Sequence, residues 1–119
     1  MRYDDLIGIP YKEHGRSKSE GFDCYGLCVE MCRRAGTPLA DPYSISSLES
    51  ADVGDLIGGV NLARTDGPVV GGIVECEYGG FLHAGYVVSR TLMIHATTDK
   101  GVRVSPIAAM RAKAFYRVV

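Results

Sequence analysis

Apolar residues recur at helical spacing in one stretch of the chain and at strand-like spacing in several others. Leu27, Cys28, Met31, Cys32 and Ala35 form a stripe that predicts an amphipathic helix running from Cys24. Asp23 precedes it as a suitable N-cap, because a carboxylate can accept bonds from the free amides of a first turn. Arg33 and Arg34 complement the negative end of the helix dipole, Gly36 suits a left-handed position after it, and Pro38 prevents continuation. Ahead of this helix, residues 3–9 predict a short helix or turn leading into Ile9-Pro10-Tyr11. Residues 12–22 are polar and contain glycine, which predicts a surface loop.

Beyond the helix, residues 37–52 read as loop, with a helical turn around 46–50. Short strand-like pieces follow at 55–60, 69–78, 82–89, 91–96, 101–105 and 114–118, and one or two helical turns at 106–113. The tight turn at Ser89-Arg90 predicts a hairpin between the pieces on either side of it. One helix followed by a meander of strands predicts an α+β domain with an antiparallel sheet.

Composition narrows the class. A chain of 119 residues is most simply one domain spanning 1–119, and 46% hydrophobic with 23% charged residues is an ordinary globular mix. A net charge of -1 gives no electrostatic case for nucleic acid. No apolar run is long enough to cross a bilayer, so no membrane partner is expected. Met1-Arg2-Tyr3-Asp4-Asp5-Leu6 lacks the basic-then-apolar layout of a secretory signal. The expectation is synthesis in the cytoplasm without export by the general pathway.

Cys24, Cys28, Cys32 and Cys76 divide by position. Residues four apart on a helix do not normally bridge. Cys28 and Cys32 lie on the apolar stripe and are expected to pack. Cys24 falls in the first turn, where free amides and the dipole favour a thiolate, so it is the one placed to react. A metal site using two helical cysteines with His83, His95 or Cys76 is a rival reading. The chain has no Cys-x-x-Cys pair to support it, and no cofactor is expected.

A reactive cysteine needs a base. His14 lies in the polar loop, where a solvated side chain is the default. His83 begins the strongest strand-like piece and His95 ends the next. If those pieces pair through Ser89-Arg90, the two imidazoles come close, giving a nucleophile, a base and an orienting group. Two structurally satisfied histidines at strand ends are the alternative, and the pattern alone leaves both open.

Taken together, Pro10-Tyr11, Gly21-Phe22-Asp23-Cys24-Tyr25-Gly26-Leu27, Val53-Gly54-Asp55-Leu56-Ile57, His83-Ala84-Gly85-Tyr86 and Met93-Ile94-His95-Ala96 resemble, in that order, the NlpC/P60 cysteine peptidases. The lead-in Pro10-Tyr11-Lys12-Glu13-His14-Gly15-Arg16 is most similar to the branch found in phage tails and prophages. The resemblance implies a papain-like α+β fold, with the nucleophile at the head of a helix packed on a central antiparallel sheet. It implies Cys24 as nucleophile, His83 as general base and then acid, and His95 as the group orienting His83. It places Tyr11 at the border of the site; Asp23 and Tyr25, which flank the nucleophile, join it as expected oxyanion or substrate contacts. The implied substrates are peptidoglycan stem peptides, with other phage tail proteins as implied partners. The chain departs from the family's usual pattern at Tyr25, where serine is common, at Val53, where proline is common, and in a glycine-rich segment at 58–80. A structural tail component without hydrolysis, an acyl transferase and a zinc module are the rival readings.

Overall fold

The computed structural model describes residues 2–42 and 60–119. A 3-10 turn at Asp4–Leu6 opens the chain and buries Leu6. It is followed by a two-stranded ribbon, β1 (Arg16–Ser17) with β2 (Gly21–Phe22), and by helix α1 (Cys24–Ala35). Then come β3 (Leu62–Thr65), β4 (Ile73–Tyr78), β5 (Phe81–Val87), β6 (Leu92–Thr97) and β7 (Gly101–Pro106). A 3-10 turn at Ile107–Met110 leads into β8 (Ala114–Val118). Strands β3 to β8 form one antiparallel sheet in the order β3-β8-β4-β5-β6-β7, with α1 packed against β5 and β6. The α+β expectation therefore holds. The turn expected at 46–50 and most of the strand expected at 55–60 fall outside the described residues.

Helix α1 begins and ends where its sequence directs. Asp23 is extended, and its carboxylate accepts the Gly26 amide at 2.7 Å. At the other end Gly36 adopts φ 77°, its amide bonds to the Arg33 carbonyl and the Thr37 amide to that of Cys32. Those two bonds close a Schellman motif that only a residue tolerant of the left-handed region completes without strain. Arg34 bonds both Glu30 and Asp5, tying the opening turn to the helix.

The sheet separates two apolar layers. Leu27, Cys28, Met31 and Cys32 of α1 pack with Ile73, Ala84, Tyr86, Ile94, Ala96 and Tyr116 on one face. Val74, Cys76, Val87, Met93 and Ile107 fill the other. Cys28 and Cys32 are fully buried in the first layer, as the stripe predicted.

Three elements differ from expectation. The piece expected over 69–78 starts only at Ile73, because Gly71-Gly72 turn the chain and leave Val69 and Val70 at the surface. β3 was not anticipated: only Leu62 of its four residues is buried, since among the described residues it lies at the sheet edge and pairs with β8 alone. Within the polar loop at 12–22, the β1–β2 ribbon buries Gly21 and Phe22. Tyr11 pairs alongside Phe22 in a single parallel bridge.

Candidate active site

The residue in front of Cys24 is held from three sides. The Asp23 carboxylate accepts the amides of Gly26 and of His14 and a charged bond from Arg16 Nη1, at 2.7, 2.9 and 2.8 Å. Arg16 in turn makes a bidentate pair with Asp41 and donates to the Gly15 carbonyl. Gly26 is what lets this loop sit so close. A Cβ at that position would lie 2.1 Å from the Gly15 carbonyl oxygen and 2.6 Å from Arg16 Nη1. The glycine of the Asp-Cys-x-Gly element is therefore a packing requirement.

Cys24 projects from the first turn of α1 toward the sheet. The β5–β6 ladder pairs Tyr86 with Ile94 and Val87 with Met93 and then stops. Two residues past its end, the Ala84 amide points to the side β6 has left and donates to the Cys24 sulfur; the Tyr25 amide donates as well. The sulfur thus occupies a gap in the sheet.

His83 stands across from Cys76 in β4, and His95 across from Arg103 in β7. The ladder break brings their rings together: His83 Nε2 lies 2.8 Å from His95 Nδ1, with ring centroids 5.0 Å apart. His95 Nε2 lies 2.8 Å from Ser105 Oγ. Gly85 makes room here, since a Cβ on it would press on the Met93 side chain and contact His95. Tyr78 covers the pair, face-tilted on His83 and edge-on to His95, and its phenol donates to Asp99 at 2.8 Å.

Cys24 and His83 open onto one cleft of about 120 Å³, lined also by Tyr11, Asp23, Tyr78, Phe81, Leu82 and Ala96. That volume admits one end of a ligand rather than a whole small molecule, for which several hundred Å³ is usual. At its rim Phe81 is 52% exposed.

Burial decides the resting protonation. The Cys24 thiol is pushed up to about 12, first by desolvation, against the pull of the Ala84 and Tyr25 amides and with Asp23 adding to the rise. His83 is pushed down to about 3 by desolvation and then by His95. His95 falls to about 4, by desolvation and then by Arg103. The thiolate expected from the helix N-terminus is thus not the resting form. The dipole contributes, but loss of water outweighs it, and the site rests as a neutral thiol beside a neutral imidazole.

The structure brings Cys24, His83, His95, Tyr11 and Asp23 to one place. Tyr25 does not join them. Its ring is fully buried, its phenol donates to the Ala40 carbonyl, and its backbone amide alone faces the thiol. The expected substrate contact is corrected to a core position, because the side chain after the nucleophile points into the helix–loop packing. Asp23 borders the cleft, but a carboxylate is an acceptor and cannot donate to an oxyanion, so its part is to anchor the start of the helix. His14 gives its backbone amide to Asp23, and its ring is half-buried rather than solvated. Among the described residues no three His, Cys, Asp or Glu side chains are grouped to hold a metal ion. Ser105, Tyr78 and the Arg16–Asp41 pair went unanticipated. The sequence carried no signal for Ser105, which alternates with Val102 and Val104 and so reads as sharing the polar face of Arg103.

No curated protein matches the sequence. Among solved structures, the NlpC/p60 domain of the peptidoglycan hydrolase SagA is similar to this chain with a TM-score of 0.62 at 20% identity, covering 96% of this chain and 90% of that one. At that identity the likeness concerns the fold, which is the papain-like arrangement of a helix on an antiparallel sheet. The model of the NlpC/P60 family matches residues 8–119. On that match, the chain belongs to the NlpC/P60 family.

Proposed function

We propose that this protein is a cysteine peptidase or amidase that cuts amide bonds in peptidoglycan stem peptides. The observation that carries the reading is the placement of the Cys24 thiol and the His83 imidazole on one cleft, with the far nitrogen of His83 engaged by His95. Family membership and the name of SagA, a peptidoglycan hydrolase, support the substrate class.

The proposed sequence starts from the neutral pair. With Nε2 committed to His95, His83 offers Nδ1 to the thiol. A bound amide carbonyl draws the attack of the sulfur as its proton passes to Nδ1. The backbone amide of Cys24, at the helix N-terminus, and the phenol of Tyr11 serve as donors to the developing oxyanion. The C–N bond breaks as Nδ1–H protonates the leaving amine, which leaves a thioester. Water, deprotonated by the same nitrogen, adds to the thioester; the carboxylate leaves and the thiol is restored.

Mass spectrometry of stem peptides and whole peptidoglycan, incubated with the wild type and with Cys24→Ala, tests this directly. A new amine and carboxylate pair made by the wild type alone supports the reading and identifies the bond. No product from any wall type removes it.

The deep burial of Cys24 and its raised pKa favour a second reading, a structural component with the same fold and little hydrolysis. The lead-in Pro10 to Arg16 supports a phage-tail setting, with tail proteins as partners, for either reading. Iodoacetamide separates them: alkylation of a catalytic Cys24 slows when His83 is replaced by alanine, because the base that takes its proton is gone, whereas that of a structural one does not depend on His83.

A further inference from the structure

Ser105 ends a hydrogen-bonded line whose first bond the proposed mechanism uses and whose last member it leaves without a part. It runs from His83 Nε2 to His95 Nδ1 at 2.8 Å, then from His95 Nε2 to Ser105 Oγ at 2.8 Å. Ser105 is buried in β7, opposite Met93 and one pleat from Arg103.

Only two proton arrangements satisfy both bonds. In one, His83 Nε2–H donates to His95 Nδ1, and His95 Nε2–H donates to the serine oxygen. In the other, the serine hydroxyl donates to His95 Nε2, His95 Nδ1–H donates to His83 Nε2, and the proton of His83 sits on Nδ1. The second arrangement turns an N–H toward the thiol and leaves no base. The first leaves Nδ1 with a lone pair.

We infer that Ser105 is a positioning residue that accepts the His95 Nε2 proton and so selects the tautomer in which His83 Nδ1 can take the thiol proton. The inference rests on the proposed reading for its catalytic meaning, while the hydrogen-bond direction it assigns is read out separately, without substrate. Removing the hydroxyl makes the opposite arrangement favourable. A buried N–H without a partner is costlier and rarer than an unpaired lone pair. With alanine at 105, His95 therefore moves its proton to Nδ1, where it still has an acceptor, and His83 is forced to carry its own on Nδ1.

Two measurements decide it. Nitrogen-15 NMR of the histidine rings reads the tautomers of the intact protein without any substrate. The wild type is expected to hold the Nε2–H form at both His83 and His95, and Ser105→Ala to shift both toward Nδ1–H. A wild type with Nδ1–H at either ring, or a Ser105→Ala protein with unchanged tautomers, overturns the proposal. On stem peptides, Ser105→Ala is expected to lower kcat roughly tenfold or more, part of the general-base contribution, with KM unchanged. Ser105→Thr, which keeps the hydroxyl on a strand-compatible side chain, should restore it. A KM effect without a kcat effect, or no rescue by threonine in a folded protein, overturns it as well. If the wild type cuts nothing, the functional reading fails while the nitrogen signals still test the role of Ser105.

Discussion

The ring of Tyr78 lies over that of His83, with centroids 5.2 Å apart and planes tilted by 34°. Its phenol reaches Asp99 in the turn after β6, so the tip of the β4–β5 hairpin is tied across the histidine pair. The shielding has an electrostatic result, since desolvation is the first cause of the low His83 pKa. Tyr78→Ala should admit water and raise the His83 pKa from about 3 toward the ordinary 6.5. Tyr78→Phe, which keeps the ring, should leave it nearly unchanged. Proton NMR titration of the imidazole checks both, and a pKa that stays low in Tyr78→Ala would show that the tyrosine shields nothing.

The cysteines should separate by function. Cys24→Ala should abolish turnover with little loss of stability. Cys28→Ala should retain turnover and cost on the order of 1 kcal/mol, the loss of one small buried group from the helix-side layer. Comparing rates and urea midpoints of the two variants checks this. Equal loss of turnover from both folded proteins would sink the assignment of Cys24 as nucleophile.

Stability should fall in mild acid. His83 and His95 have folded pKa values of about 3 and about 4, against 6.5 when unfolded. Below 6.5 the unfolded chain binds protons that the folded one refuses, so stability is present above that pH and declines as pH drops. The decline is up to about 1.4 kcal/mol per pH unit for each histidine across its window. Urea unfolding at pH 7 and pH 5 reads it directly, and His83→Gln should flatten the slope. Identical midpoints at the two pH values would contradict the depressed values.

Gly26→Ala should be far worse than a typical helix glycine replacement, which is stabilising by about 1 kcal/mol where space allows. Here the new methyl meets the Gly15 carbonyl and the Arg16 guanidinium, and the backbone must move. The expected result is a loss of about 2 kcal/mol or more, together with a disturbed Asp23 and reduced activity. Thermal unfolding of the variant checks the direction, and a gain in stability would refute the packing account.

Sequence reading succeeded where a residue's meaning is local. The Asp23 and Gly36 caps and the stripe from Leu27 to Ala35 depend on neighbours a few positions away, and the hairpin that carries His83 and His95 spans only a short, continuous stretch of chain. It failed where meaning depends on distant partners. Leu62–Thr65 forms a strand because β8 returns some fifty residues later to pair with it, as Leu62 with Val118 shows. Ser105 matters through His95 on another strand, and Tyr78 through a fold-back of its hairpin. The resting protonation of Cys24 is not legible in sequence for a related reason. A helix start is visible in sequence, whereas the water excluded from it is a property of the whole packed site.

The sheet order carries a consequence for how the chain is made. Among the described residues, β8 is the last strand in sequence, yet it lies between β3 and β4, and β3 pairs with no other strand. During synthesis, β4 through β7 can pair as they emerge, while one side of β4 stays unpaired until residues 114–118 leave the ribosome. For that interval the nascent sheet presents an open edge able to recruit other strands. Closure then requires joining segments far apart along the chain, which is the slow kind of contact to form. The strand farthest from Cys24 in sequence is thus the one that ends the vulnerable period of the newborn protein.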